Sequence, residues 1–470
     1  MFREDKTISN RMFAFSVADF LPENSDVNLY IDLFDSLDLD DFVMDYSSQG
    51  EAAVHPALML RTIVYGLTHG IVCGRKLALS CRYDARFIVL SGEQMPDART
   101  FQRFLERHEK RIPALFVQVV KLAQTIGLVK LGNIAIDGSK FKANSSRHKA
   151  MSYGRMVTTL EALEHELKIL RDNLRSENSA EMDEVTLKGE IARRESRRAK
   201  ILAAKERIEA EAAAENKTVD PKAQKSFNDL DALPNFNKKR GMNYAYNFGV
   251  AVDEKSQIVV ACEVHNNCSD QGMLEPLVES VIENLESKPE RCLADAGFNK
   301  PENISALEEL GITPVIAMGQ GEDEGTPRAL EAFHYDAQRD KWRCPKGKIV
   351  PESKPTDARR VIAILIGFCI GCPQRQRCPL FEKQGRRINL PPERIRAAQQ
   401  RNAERLRTTE GKAVYKRRKA IVEPVFGNMK NKGMRILVKG KRKVETRAKI
   451  FTIAHNIEKI VGAMSRRIAS

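Results

Sequence analysis

No apolar run in the chain approaches the roughly 18 to 20 residues that a membrane span needs. The opening MFREDKTISN has neither the length nor the apolar core of a secretory signal. Both absences predict a soluble protein of the cytoplasm. Nine cysteines in 470 residues are too few for a disulfide scaffold. None of the eight His residues falls into a metal-ligand spacing, so surface or core roles are their default, and the single Trp, Trp342, reads as a packing residue beside Cys344. Acids are scarce in one region, where residues 383–470 hold 25 Lys and Arg against six Glu, while the rest of the chain is slightly acidic.

What is present follows from that asymmetry. The net charge of +14 and pI near 9.3 favour a polyanionic partner such as nucleic acid. The length allows an ample core and roughly two to four structural units.

From about Val17 to Val129 the apolar spacing is helical, in HPALMLRTIVYGLTHGI and again in IPALFVQVVKLAQTIGL. Pro56 suits a first helical turn, and Asp97 or Thr100 can cap the helix TFQRFLERHEKR. A helix-turn-helix module and a plain helical bundle both fit this region. The period then changes. GNIAIDGSKFKA reads as a strand whose last residue is Asp137, and NYAYNFGVAVDEKSQIVVACEVH as two strands joined by a turn at Asp253 to Gln257. Alternation follows, with a helix in QGMLEPLVESVIENL, a strand in RCLADAG, a helix in PENISALEELG and a strand in TPVIAMG. Strands paired first and then alternating with helices predict an α/β fold with a mixed sheet and helices packed on it.

Two stretches interrupt this pattern. Met156, Leu160, Leu163, Leu167, Leu170 and Leu174 form a heptad seam on a charged helix, and a second charged helix with Leu187, Ile191, Ile201 and Ile208 completes a coiled-coil-like antiparallel hairpin. It reads as a solvated spacer before a partner-binding arm. The second interruption is Cys-rich, with Cys344 followed by Cys369, Cys372 and Cys378. Four thiolates match a tetrahedral structural zinc site with no open catalytic position, and unligated buried thiols are the alternative.

Asp137 and Asp295 share a local setting, in which an apolar strand ends in Asp with a Gly within two residues. On adjacent strands they would meet at one sheet edge, where open α/β folds place ligands. Neighbouring carboxylates repel unless a cation lies between them, and a hard divalent ion suits oxygen ligands. Two such ions can activate the attacking oxygen and stabilise the leaving one in phosphodiester chemistry. Glu423 is the candidate third acid. It is the single acid in GKAVYKRRKAIVEPVFGNMKNKG, a segment that would otherwise bind DNA better without it. Pro424 predicts a helix that starts or bends at the Glu. Among competing acids, Asp253 reads as a turn residue, Asp270 as a helix cap, and Asp229 and Asp231 as loop residues open to substrate or metal contacts.

These residues resemble bacterial insertion-sequence transposases of the DDE type, which have a ribonuclease H-like catalytic core. The motifs that carry the resemblance are AIDGSKFKANSS, YNFGVAVDEKSQIVVACEV, LADAGFNKPENI and RRKAIVEPVFGNMK, with HPALMLRTIVYG and PDARTFQRFLERH in the helical region. The resemblance implies a metal-binding triad of Asp137, Asp295 and Glu423, served by two Mg²⁺ ions with Mn²⁺ as a substitute. The family's third motif has Tyr, Arg, Glu and Lys at set spacing. Here Lys430 falls in place, Lys419 and Lys416 occupy the Arg and Tyr positions, and Tyr415 and Arg418 are each one residue out of register. Lys416, Arg417, Arg418 and Lys419 before the Glu, and Lys430, Lys432 and Arg435 after it, would hold DNA phosphates. The reaction implied is cleavage at the ends of a mobile element, then attack of the freed 3′-hydroxyls on target DNA, by a dimer or larger assembly bound to terminal inverted repeats. A metal-dependent nuclease on the same fold and an inactive DNA-binding derivative are the rivals. The domain layout expected is a helical DNA-binding domain at 1–130, the first core strand at 131–152, the hairpin insertion at 153–216 and the main core at 217–325. A Cys-rich zinc-binding insertion at 326–400 and the third-acid and basic C-terminal helices at 401–470 complete it.

Overall fold

Apolar residues three and four apart fold the N-terminal region into helices α1 (Val27–Asp35), α2 (Asp40–Met44), α3 (Pro56–Thr68), α4 (Gly74–Tyr83), α5 (Ala85–Leu90), α6 (Ala98–Arg107) and α7 (Ile112–Thr125). Pro56 occupies the first turn of α3. Asp97 caps α6 by accepting from the Thr100 N–H at 2.6 Å, so the Asp supplies the cap and Thr100 receives it. The structure is a computed structural model that describes residues 16–46, 53–175, 184–214, 216–237, 241–265, 270–318 and 393–469. It also describes the short stretches 334–336, 339, 341–344, 346–349, 360–364, 371–372 and 386–390.

The chain continues with β1 (Asn133–Lys142), β2 (Ala150–Ser152), α8 (Tyr153–Arg175), α9 (Glu184–Ala214), β3 (Gln224–Ser226), β4 (Leu233–Asn237), β5 (Gly241–Asp253) and β6 (Val259–His265). Then come α10 (Leu274–Leu285), β7 (Arg291–Ala294), α11 (Pro301–Glu309) and β8 (Thr313–Ile316). Short strands β9 (His334–Asp336), β10 (Lys341–Arg343), β11 (Arg360–Ile364) and β12 (Arg386–Leu390) precede α12 (Glu393–Arg407), α13 (Thr409–Asn431) and α14 (Lys441–Ala469).

The main sheet is mixed, as the strand and helix order implied. Its order is β4-β5-β1-β7-β8, with β6 also on β5. The β1, β5, β4 and β6 pairings are antiparallel, whereas β7 lies parallel to β1 and β8 parallel to β7. One expectation is corrected here: β1 does not stop at Asp137 but runs on to Lys142, because β5 keeps pairing with it through Lys142↔Ala245.

Two buried asparagines close exposed strand edges. Asn456 of α14 accepts from Val259 N–H and donates to Val259 O, both at 2.9 Å. Asn402 of α12 does the same for Ile316, at 3.1 and 2.9 Å. Unpaired edge groups invite intermolecular pairing, and each amide occupies one donor and one acceptor at once.

Asp253 ends β5, where its Oδ1 accepts from Lys255 N–H in the turn role expected of it, while its Oδ2 accepts from the Lys130 and Leu131 N–H groups ahead of β1. Asp229 accepts from Tyr246 Oη at 2.6 Å and Gly440 N at 3.2 Å, and Asp231 from Lys441 N at 2.9 Å. These two acids therefore tie the start of α14 to the core.

Pro424 lies inside α13, so the helix does not start at the Glu. A proline there cannot donate to Ala420 O, and the orphaned carbonyl accepts instead from Gln257 Nε2 at 2.9 Å. The tight turn that carries Gln257 thus supplies from outside the bond the helix lacks.

α8 and α9 pack on each other around Met156, Leu160, Leu163, Ile201, Ala204 and Ile208, a core separate from the main one. Arg194 pairs with Glu166 and Arg198 with Glu164, so the helices run antiparallel along the seam read from the sequence. Trp342 lies on β10 opposite Tyr335, and Cys344 follows. Cys344 and Cys372 are described and free, whereas Cys369 and Cys378 fall outside the described residues, as does most of the expected zinc insertion.

Candidate active site

Strand register brings the two aspartates to one level. Ala135 of β1 is paired with Leu293 of β7, and Asp137 and Asp295 each lie two residues further along these parallel neighbours. Adjacent strands are about 4.8 Å apart. Asp295 sits just past β7, where its Oδ1 accepts from Gly297 N–H at 2.8 Å, and Asp137 Oδ1 accepts from Gly138 N–H at 2.8 Å. Gly138 lies within β1, whereas Gly297 lies in the turn after Asp295, where a Cβ would come within 2.9 Å of Asp295 Oδ1.

Burial pushes the Asp137 carboxyl above the usual carboxylate range, and the neighbouring Asp295 charge pushes it the same way. The Arg418 guanidinium and the Gly138 N–H pull it back. Arg418 Nη1 lies 3.4 Å from Asp137 Oδ2, an ion-pair distance longer than a good hydrogen bond. A partly buried carboxylate with a second acid beside it is an environment that a cation would relieve.

Asp270, which reads from the sequence as a helix cap, is a third acid at this edge. Its carboxylate instead accepts from Asn247 Nδ2 at 2.6 Å. Oxygens of the same carboxylate lie 3.2 Å from where a Cβ on Gly138 would stand and 3.4 Å from one on Gly297. The side chain therefore sits beside both glycines that follow the candidate acids. No periodicity marks it, because its partner Asn247 lies on β5, apart from it in the chain.

Glu423 is exposed on α13, the helix that packs over β1, β5, β7 and β8. Among the described residues no three His, Cys, Asp or Glu side chains are grouped closely enough to hold a metal ion. Asp137 and Asp295 are thus brought together, while α13 sends Arg418 to Asp137.

The basic residues expected on DNA divide into two sets. Lys416, Arg417, Lys419, Lys430 and Arg435 are exposed. Arg417 also pairs with Glu254 at 2.8 Å, and Lys430 Nζ stands 5.5 Å from the Phe141 ring centre and 5.7 Å from that of Phe426. Arg418 is buried, and Lys432 is half-buried and paired with Glu458. The sequence held a signal for Arg418, since it falls on the same helical stripe as Ile421, Val422, Val425 and Met429, all buried.

Two family models match the chain. Residues 343–461 match a transposase DDE domain, and residues 15–107 match a transposase domain (DUF772). Both support a transposase role and the resemblance to insertion-sequence DDE transposases. Of the three candidate acids only Glu423 lies within a matched stretch. No curated protein and no solved structure matches the chain.

Proposed function

We propose that the chain is the DNA transposase of an insertion sequence, cleaving the element's ends and joining the freed 3′-hydroxyls to target DNA. The observation that carries this reading is the register that sets Asp137 and Asp295 side by side on parallel strands beneath the helix bearing Glu423. The strand order, an antiparallel β1-β5-β6 meander extended by parallel β7 and β8, supports a ribonuclease H-like core.

The donor set suits a divalent cation: the carboxylates are hard oxygen ligands, and Asp137 carries a charge that burial and Asp295 both disfavour. Asp137, Asp295 and Glu423 would hold Mg²⁺, with Mn²⁺ as a substitute. Bound there, such ions would activate the attacking oxygen and stabilise the leaving one. Arg418 acts on Asp137, balancing its charge and fixing its direction. Exposed Lys416, Lys419, Lys430 and Arg435 hold DNA phosphates without reading sequence. Recognition of the terminal inverted repeats falls to the N-terminal helices, and paired cutting of two ends calls for a dimer or larger assembly.

The test is Asp295→Asn on DNA carrying the terminal inverted repeats. DNA binding should persist while cleavage with Mg²⁺ or Mn²⁺ is lost, and unimpaired cleavage would sink the assignment. Joined products separate a transposase from a nuclease that only cuts. Zinc content of the purified protein, with and without Cys369→Ser and Cys372→Ser, decides the Cys cluster.

A further inference from the structure

Asp270 stands outside the expected triad, yet it faces one member of it across a gap that a glycine keeps open. A Cβ on Gly297 would lie 2.9 Å from Asp295 Oδ1 and 3.4 Å from Asp270 Oδ2. Two carboxylates from separate elements thus border one small space. Their described hydrogen-bond partners are neutral, Asn247 Nδ2 for Asp270 and the Gly297 N–H for Asp295, whereas Asp137 has the Arg418 guanidinium. Like charges held so close favour a cation between them.

Strand register explains how the acids come from different sides. Successive residues of a strand point to opposite faces. Asp137 points to the face of α13 and Arg418. Gly138 points to the face of α10, since a Cβ on its partner Gly249 would strike Met273 and Leu277. Asn247 shares the α10 face, two residues before Gly249 on β5. Asp270 lies there too, in the short turn Asp270–Gly272 ahead of α10, with Oδ1 3.2 Å from where a Cβ on Gly138 would stand. Asp295 lies past the last residue of β7, where no strand backbone divides the two faces.

Capping does not account for Asp270, because α10 begins after Met273 with no side-chain cap. Packing does not account for Asn247, which is 3% exposed between Tyr246 and Phe248. A buried amide is costly unless it is hydrogen-bonded, and the bond that Asn247 gives to Asp270 is short, at 2.6 Å. Asn247 therefore fixes the direction of the Asp270 carboxylate.

We propose that Asp270 is a further acid of the metal site, holding a divalent cation through its waters from the α10 side while Asp295 faces it across the gap at Gly297. Mg²⁺ keeps several waters and is bound by one or two carboxylates. Acids that are not grouped closely enough to close on a bare ion, as among the described residues here, can still share a hydrated one. Asp270 raises the affinity for the ion and makes no contact with DNA. The inference rests on the transposase reading in taking Asp295 as a metal-binding acid.

Isothermal titration of the full-length protein with Mn²⁺, without DNA, tests it. Asp270→Asn should weaken Mn²⁺ binding by about tenfold. Gly297→Ala, which keeps both charges but fills the gap, should weaken it by about as much. In cleavage of DNA carrying the terminal inverted repeats, Asp270→Asn should raise the half-maximal Mn²⁺ concentration by a similar factor. Saturating Mn²⁺ should restore the wild-type rate, a rescue that a merely structural role would not give. Unchanged Mn²⁺ affinity in Asp270→Asn, or no Mn²⁺ binding by the wild type, overturns the inference. So does weakening in Asp270→Asn without weakening in Gly297→Ala, which would mean a long-range charge effect and no shared ion. Should Asp270→Asn not fold, Gly297→Ala decides by the same titration. If Asp295→Asn abolishes cleavage while both variants bind Mn²⁺ like the wild type, only this inference fails. If both variants lose Mn²⁺ affinity but Asp295→Asn cleaves normally, only the transposase reading fails.

Discussion

Arg418 Nη1 lies 3.4 Å from Asp137 Oδ2, linking the buried face of α13 to the strand that carries the first candidate acid. Their side chains are 7% and 20% exposed, so water screens the pair poorly. Removing one partner of such a pair leaves the other charge uncompensated. Arg418→Met should therefore destabilise the protein by about 3 kcal/mol. Urea denaturation measures the loss, and a change below about 1 kcal/mol would mean that the contact is idle.

The bond between Gln257 Nε2 and Ala420 O predicts a coupling across a helix defect. Gln257→Ala should cost about 1 to 2 kcal/mol, because it strands a carbonyl that Pro424 cannot serve. In a Pro424→Ala background the helix regains its own donor, and the same substitution should cost less. A double-mutant cycle reads the difference, and additive effects would rule out the compensation.

His455 gives stability a pH dependence. Its Nε2 is 2.9 Å from Gln257 O, and Asn428 Nδ2 donates to its Nδ1 at 3.4 Å, so the neutral ring satisfies both partners. Burial lowers its pKa to about 4, with Lys459 and Lys432 acting in the same direction and the Gln257 carbonyl and Glu458 opposing. The unfolded chain protonates near pH 6.5 and the folded one does not, so this contribution is complete above that pH. It is lost as the pH falls toward 4, by about 3 kcal/mol in all. Urea midpoints of the wild type and His455→Gln, compared at pH 7 and pH 5, should show the smaller acid loss in the variant. Equal losses would contradict the assignment.

The hairpin of α8 and α9 has its own core. Leu163→Ala should cost about 2 to 5 kcal/mol locally, releasing hydrogen-exchange protection in both helices while β1, β5 and β7 stay protected. Loss of protection in the main sheet at the same denaturant concentration would show that the two cores unfold as one.

Local pattern was enough for much of this molecule. The heptad seam specifies the hairpin, the change from helical to alternating apolar spacing specifies the mixed sheet, and the Asp with a Gly within two residues marks Asp137 and Asp295. These features depend on neighbours in the chain, which periodicity and turn chemistry report directly. Asp270 is not legible in this way because its partner Asn247 lies on β5, apart from it in the chain. Arg418 reads as one of a basic run, although its place on the apolar stripe separates it from its neighbours. Pro424 suggests a helix that starts or bends at Glu423, because a sequence does not show that Gln257 will serve the carbonyl left open.

The sequence by itself determined the types of element, the basic C-terminal region and the pair of strand-end acids. Only the tertiary structure decided that those acids stand level on adjacent strands, and that Arg418 turns inward to one of them. The same structure sets Asp270 beside the glycines that follow both acids. Register, helix rotation and the gap between separated strands are set by packing over long sequence distances. No local spacing encodes them.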